Sequence, residues 1–281
     1  VRTRIITGLA LLPLVALVYF GPAWAFVLLV AAATVGMCLE TLRLFPQDTG
    51  APAQPWPTAA AVLLLFGAFF APDHLSVEAA LAAGAALILG GSMLLRPGIE
   101  GAHAAAAASL ACLVYPGLLM GFQVALRRIG EGSGEARGPA LLVFLYAAVF
   151  GGDAAAYFVG RAMGRIALAP TISPKKTVEG FVGGLVGGVA LALLSALVLS
   201  LGFPLGKAAL LAALLVVAGT FGDLSKSLLK RAAHVKDSGN LLPGHGGLLD
   251  RLDGLLFASP VLYLAVTSPI LGLIPERAAG G

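Results

Sequence analysis

Between Asp223 and Asp253 the chain reads DLSKSLLKRAAHVKDSGNLLPGHGGLLDRLD, and nine of its 32 charged residues fall in these 31 positions. Ionisable groups crowded between apolar stretches are functional candidates, because each is costly to hold at a bilayer. A solvated connecting loop is the competing reading, but this mixture of acids, bases, histidine and glycine is unlike a generic charged linker. Asp223 follows the apolar Val217-Ala218-Gly219-Thr220-Phe221-Gly222. A helix continued through residues 225–234 sets Asp223 and Ser227 on one face at i, i+4, with Lys230 and His234 extending that face. Lys236-Asp237-Ser238-Gly239-Asn240 then breaks the helix. Pro243-Gly244-His245-Gly246-Gly247 predicts a compact turn whose glycines let backbone N–H groups approach a ligand closely. Asp250 and Asp253 follow at i, i+3, which points both carboxylates the same way on a helix. Carboxylates converging from two segments, with no nearby cysteine or paired histidine, suit a hard cation such as Mg²⁺. Mg²⁺ in turn suggests phosphate chemistry.

A second polar stretch, Thr171-Ile172-Ser173-Pro174-Lys175-Lys176-Thr177-Val178-Glu179-Gly180, leads into an apolar run. Ser173 is expected as the N-cap and Pro174 as the first helical residue. Two lysines at a helix N-terminus would bind phosphates. Equally, Lys175 and Lys176 are the basic residues that routinely flank the cytoplasmic end of a membrane helix, and local sequence leaves both readings open. Asp153 lies about two turns inside the end of another apolar run, with Tyr157 and Arg161 on the same side. A role facing a wet cavity is favoured there over a structural pair with Arg161.

The elements that must position these residues are membrane helices. Of 281 residues, 59% are hydrophobic and 11% charged, against about 25% charged in an ordinary soluble domain. That excludes a soluble globular enzyme. Runs such as AVLLLFGAFF are apolar on every face, which excludes a transmembrane barrel with its alternating pattern. The net charge of +4 has no basic, aromatic-interleaved soluble surface behind it, so no nucleic-acid partner is expected. Cys38 and Cys112 each lie in an apolar stretch without a metal-binding spacing and are expected as packing residues. Nine spans are placed near 5–20, 23–40, 58–71, 77–95, 104–124, 139–160, 178–202, 204–222 and 254–274. The first has the outline of a secretory signal peptide but is read as a retained membrane helix. Thirteen of the eighteen lysines and arginines fall on the side that holds the N-terminus, which is therefore the cytoplasmic side. The loops 161–177 and 223–253 face it together. Gly180, Gly184 and Gly188, with Gly183 and Gly187, recur every four residues and permit close helix packing. The expectation is an all-α, polytopic membrane protein forming a single domain over residues 1–281.

The stretch Ser227-Leu228-Leu229-Lys230-Arg231, Lys236-Asp237-Ser238-Gly239, Leu242-Pro243-Gly244-His245-Gly246-Gly247 and Asp250-Arg251-Leu252-Asp253 resembles, without departure, the C-terminal signature of the phosphatidate cytidylyltransferases, or CDP-diacylglycerol synthases. The resemblance extends to Asp153-Ala154-Ala155-Ala156-Tyr157, to the Gly160-Arg161 to Gly164-Arg165 stretch, and to the run from Ser173 to Gly180. The first 125 residues are similar only in being hydrophobic spans. The resemblance implies cytidylyl transfer from CTP to phosphatidic acid in the cell (inner) membrane, at a cytoplasmic-facing site using Mg²⁺ and a second cation, in a homodimer. It assigns Asp223 and Asp250 as the metal pair, with Asp253 and Asp237 in supporting contacts. Ser173, Lys175, Lys176 and Thr177 would hold CTP phosphates, joined by Asp153 in the nucleotide-binding set. Lys230, Arg231, Lys236 and Arg251 would face phosphatidate or pyrophosphate oxygens. His245, Gly246 and Gly247 would contact a phosphate or close the turn. A CTP-dependent lipid kinase of the dolichol or phytol type is the nearest rival in mechanism. The motifs of a CDP-alcohol phosphotransferase are absent, and a lipid or ion transporter would place its polar groups nearer the bilayer midplane.

Overall fold

The computed structural model describes residues 16, 18–45, 55–95, 99–131, 136–235, 238–239 and 247–268. Its helices are α1 (Ala23–Leu44), α2 (Pro55–Phe70), α3 (Val77–Leu94), α4 (Ala102–Arg128), α5 (Arg137–Met163), α6 (Val178–Val198), α7 (Leu205–Ala232) and α8 (Leu249–Thr267). A hairpin of two short strands, β1 (Ala167–Ala169) and β2 (Ser173–Thr177), joins α5 to α6. Helices dominate because a bilayer offers the backbone no hydrogen-bond partner, so each apolar run must satisfy its own N–H and C=O groups. Six of them, α1, α3, α4, α5, α6 and α7, are long and apolar enough to cross a membrane. The chain is thus an all-α membrane protein. α2 is apolar but shorter at 16 residues, and α8 carries Asp250, Arg251 and Asp253 in its first turns. Of the expected first span, only Ala16 and residues 18–20 are described, and they are helical.

The helices differ in what they face. α1 and α4 bury half or more of their apolar windows inside the protein, whereas α3 and α6 bury 17%. Side chains such as Leu87, Leu89, Val186 and Leu194 therefore point outward, the face an apolar helix turns to lipid. Within α4, Pro116 lacks an N–H to donate, and the helix widens into a π turn over Leu113–Leu118. Cys38 of α1 and Cys112 of α4 are buried free thiols, each directed at the other's backbone carbonyl, in the packing role expected of them.

Glycines decide how closely the functional half packs. A Cβ at Gly184 would lie 2.9 Å from both the Ala156 Cβ and the Gly152 carbonyl oxygen, and one at Gly188 would lie 2.6 Å from the Ala148 carbonyl oxygen. The four-residue stripe of α6 thus sits directly on the backbone of α5, as its spacing predicts. At the other contact, a Cβ on Gly222 of α7 would collide with the Asp253 carbonyl oxygen of α8, one residue before Asp223.

The lead-in to α6 departs from expectation. Ser173 is not its N-cap and Pro174 is not its first helical residue; both lie in β2. Thr177 caps the helix instead, its hydroxyl accepting the Gly180 N–H at 3.2 Å. Glu179 causes the difference: its carboxylate reaches back to accept the N–H groups of Arg165 (3.0 Å) and Ile166 (3.2 Å). Val178 N–H then donates to the Ile166 carbonyl at 2.8 Å. These bonds draw the two legs together into an antiparallel pair, Ala167 opposite Thr177, in which Pro174 occupies an edge strand.

Replacing Gly222 with alanine should lower the thermal unfolding midpoint in detergent, by an overpacking cost of about 1–3 kcal/mol. Gly206→Ala, where nothing lies within 4 Å of the added carbon, should leave the midpoint unchanged or raise it. Equal midpoints for the two variants would refute backbone contact at Gly222.

Candidate functional site

α7 runs unbroken to Ala232, so Asp223 and Lys226 stand one turn apart near its end. The Gly222 contact sets this turn against the first turns of α8, where Asp250 and Asp253 share a face at i, i+3. Between them lies the Lys226 ammonium, 5% exposed as a residue. It is 2.8 Å from Asp223 Oδ1, 3.4 Å from Asp250 Oδ1 and 2.5 Å from Asp253 Oδ2. The β2 strand delivers Lys176 to the other oxygen of Asp223, forming a further ion pair. Lys230, one turn beyond Lys226, donates to Asp250 Oδ1 at 2.5 Å. The network joins three carboxylates to three ammonium groups, so its formal charges cancel.

Asp250 is the most heavily bonded carboxylate of the three. Its Oδ2 accepts the Ser238 N–H (3.1 Å), the Ser238 hydroxyl (2.9 Å) and the Gly247 N–H (3.4 Å). Burial opposes its charge, but the Lys230 hydrogen bond, the Ser238 N–H and the nearby ammonium groups outweigh burial and hold the carboxyl well below the usual carboxylate range. Asp253 is buried, and its Oδ1 accepts the N–H of Gly254 at 2.8 Å.

Several expected site residues are drawn together and others are not. Asp223, Asp250, Asp253, Lys176 and Lys230 form one cluster. Lys175, its neighbour on β2, points out to solvent, and Thr177 is taken up in capping α6. Ser173 lies at the start of β2, half-buried. Arg231 is exposed and ties the hairpin tip to α7 through the Ile172 carbonyl at 3.4 Å. Arg251 is exposed on the first turn of α8. Asp153 of α5, whose side chain is partly open, lies at the edge of the cluster within electrostatic reach of Lys176, Asp223 and Lys226, and Arg161 donates to the Tyr157 hydroxyl at 3.1 Å in place of pairing with it. Gly247 sits against Ser238, and a Cβ there would collide with that side chain. Lys236, Asp237, His245 and Gly246 lie outside the described residues.

Two central residues escape the sequence reading. Lys226 is signalled by its i, i+3 spacing from Asp223. Glu40, 0% exposed on α1, accepts the N–H groups of Leu248 and Leu249, each at 2.9 Å, and lies 3.1 Å from the Ser238 hydroxyl. A lone carboxylate in an apolar run is itself a signal, because such a group needs a partner.

Among the described residues, no three acidic, histidine or cysteine groups surround a point where they alone could hold an ion. The donor set still fits Mg²⁺, which characteristically takes one or two protein carboxylates and completes its shell with water and substrate phosphates. Asp223 and Asp250, which face each other across Lys226, supply such a pair. Lys176 and Lys230, now bound to those carboxylates, are flexible enough to turn toward phosphate oxygens instead.

Comparison with known proteins gives this cluster a context. The chain is 36% identical over 150 residues to a phosphatidate cytidylyltransferase of Bacillus subtilis, covering 53% of this chain and 54% of that protein. It is 56% identical over 122 residues to the Pseudomonas aeruginosa protein of the same name (43% of this chain, 45% of that protein). With the one from Thermotoga maritima it shares 41% over 130 residues (44% and 47%). The chain thus spans about half the length of each of these relatives. Residues 2–268 match the profile of the Cytidylyltransferase family. With that match running nearly end to end, the chain belongs to the cytidylyltransferase family.

Proposed function

We propose that this protein transfers the cytidylyl group of CTP to phosphatidic acid, releasing pyrophosphate and forming CDP-diacylglycerol for phospholipid synthesis. The observation that carries this reading is the meeting of Asp223, Asp250 and Asp253 with Lys176, Lys226 and Lys230 at one end of an apolar helix bundle. The relatives, each called a phosphatidate cytidylyltransferase, supply the substrate pair.

In the reaction, an oxygen of the lipid phosphomonoester attacks the α-phosphorus of CTP, and the bond from that phosphorus to the bridging oxygen of pyrophosphate breaks. Both partners are anions, so charge screening and in-line alignment matter more than a general base. The phosphomonoester, with a second pKa of about 6, is already largely dianionic at neutral pH. Asp223 and Asp250 would hold Mg²⁺, with Asp253 in support and room in the same carboxylate set for a second cation. Bound there, the metal would supply Lewis-acid stabilisation of the transferring phosphoryl oxygens. Lys176 and Lys175 face CTP phosphates from β2, and Lys230, Arg231 and Arg251 receive phosphatidate or pyrophosphate oxygens. Lys226 stays buried and holds the three carboxylates at fixed separation. The reading also includes nine membrane crossings, a cytoplasmic N-terminus and site in the cell (inner) membrane, and a homodimer; the lysine and arginine asymmetry supports the orientation.

Purified protein given phosphatidate, Mg²⁺ and CTP labelled at the α-phosphorus should place label in a chloroform-soluble liponucleotide, and γ-labelled CTP should place none there. Label entering lipid from the γ position would make the protein a kinase; none from either would remove the transferase reading. Asp250→Asn should lower turnover by more than about 100-fold, as loss of a metal-binding carboxylate predicts, while the variant still elutes as folded protein in detergent. Wild-type rates from it would sink the metal assignment. A carboxyl held below its ordinary value stays ionised, and keeps its contribution to stability, until pH falls through the lowered value. Asp250 should therefore not set the acid limb of turnover, whose midpoint should lie at about 6 to 7, where the lipid phosphate protonates and where burial raises the Asp253 carboxyl. A midpoint at about 4, the ordinary carboxylate value, would show that Asp250 titrates freely.

A further inference from the structure

Glu40 lies on α1, in the half of the chain where the sequence offers only hydrophobic spans, yet it is the group on which the site's central segment closes. α8 begins without a side-chain cap of its own, since Leu248 occupies the N-cap position. Its leading N–H groups are instead met by the Glu40 carboxylate, with Leu248 donating to Oε1 and Leu249 to Oε2, both at 2.9 Å and from more than 200 positions away. A carboxylate at a helix N-terminus is favoured by both the free N–H groups and the dipole. The glycines of the neighbouring segment make room for it: a Cβ on Gly239 would lie 2.8 Å from Glu40 Oε1, and one on Gly247 would collide with Glu40 Oε2.

The contact does not end at the helix. The Ser238 hydroxyl lies between the two carboxylates, 3.1 Å from Glu40 Oε2 and 2.9 Å from Asp250 Oδ2, and its single proton serves one or the other. Ser238 and Gly247 also give their N–H groups to the same Asp250 oxygen, at 3.1 and 3.4 Å. The segment that Glu40 anchors is therefore the one that aims Asp250. With Oδ2 held by the donors of this segment, Oδ1 is left turned toward Lys226 and Lys230, the side on which Asp223 stands.

We propose that Glu40 is a positioning residue for Asp250: by capping α8 and holding Ser238, it fixes the orientation of the Asp250 carboxylate, with one oxygen turned to the Asp223 side of the site. This rests on the reading of Asp223 and Asp250 as the metal pair. A positioning role acts on metal affinity and kcat, whereas a role confined to holding the fold acts on stability alone.

The test uses the full chain in detergent as wild type, Glu40→Gln, Glu40→Asp and Ser238→Ala. Mn²⁺ binding is followed by electron paramagnetic resonance, and the Mg²⁺ concentration giving half-maximal turnover is measured alongside. Glutamine presents one acceptor and one donor to two N–H groups, so Glu40→Gln should weaken Mn²⁺ binding by about 10–100-fold, the effect of losing a partner that orients a ligand. It should raise the Mg²⁺ requirement to match and leave the KM for CTP at saturating Mg²⁺ unchanged. Glu40→Asp, which keeps two acceptors, should recover part of the affinity. Ser238→Ala should shift it in the same direction as glutamine. A folded Glu40→Gln with wild-type Mn²⁺ affinity and Mg²⁺ requirement overturns the proposal, even if its melting midpoint falls. If Glu40→Gln does not fold, Ser238→Ala decides, and wild-type affinity in that variant overturns it equally. A wild type with neither Mn²⁺ binding nor Mg²⁺-dependent turnover would instead overturn the functional reading, and this role with it.

Discussion

Three aspartates from two helices share the Lys226 ammonium, and most of what distinguishes this protein from a plain helix bundle follows from holding that arrangement together. Removing charges from water costs several kcal/mol for each ion, recovered only where opposite charges are close and the remaining polar atoms are bonded. The structure meets that demand with near contact of backbones. Gly222 lets α7 approach the Asp253 carbonyl, and Gly219 lies with its Cβ direction toward Gly254, so the carboxylates of one helix reach the ammonium of the other. Lys176 and Lys230 then balance the remaining charge from opposite sides. Removing Lys226 alone would leave mutually repelling carboxylates, so the cluster stands or falls as a unit.

The scaffold serves that cluster in two ways. α5 and α6 pack backbone to backbone along a glycine stripe, which holds the β1–β2 hairpin rigidly over the end of α7. Glu179 and Thr177 then tie the hairpin to α6, so Lys176 arrives at Asp223 from a braced strand. Meanwhile the outward faces of α3 and α6 remain apolar, and a diacylglycerol-anchored substrate of the kind proposed can approach only through lipid. An electroneutral cluster suits such a site. Were the carboxylates to hold the proposed divalent cation, Lys176 and Lys230 would be free to meet phosphate oxygens.

Much of this was readable in the sequence because the bilayer reduces the choices open to an apolar run. From residue 23 onward each predicted span coincides with a helix among the described residues, most bounds shifted by a few residues, while α7 runs well past its expected end at 222 to Ala232 and α8 begins early enough to take in Asp250. The shared face of Asp250 and Asp253 followed from helical spacing alone. The start of α6 differs from the expected one because Ser173 and Thr177 are both competent caps. A contact from Glu179 to the chain 13 and 14 residues earlier decides between them. Lys226 was legible in spacing but not in depth, since nothing local says that its ammonium, and not that of Lys230, would be enclosed.

By itself the sequence determined that this is a helical membrane protein with its polar chemistry gathered at one edge, because hydropathy and helical period are local properties. Tertiary structure alone decided which charges meet. The Lys226 ammonium among three carboxylates and the Glu40 carboxylate under α8 join segments 24 to more than 200 residues apart. Such pairings leave no local pattern, because they depend on how closely helices pack and on which buried polar groups are left for one another when water is excluded.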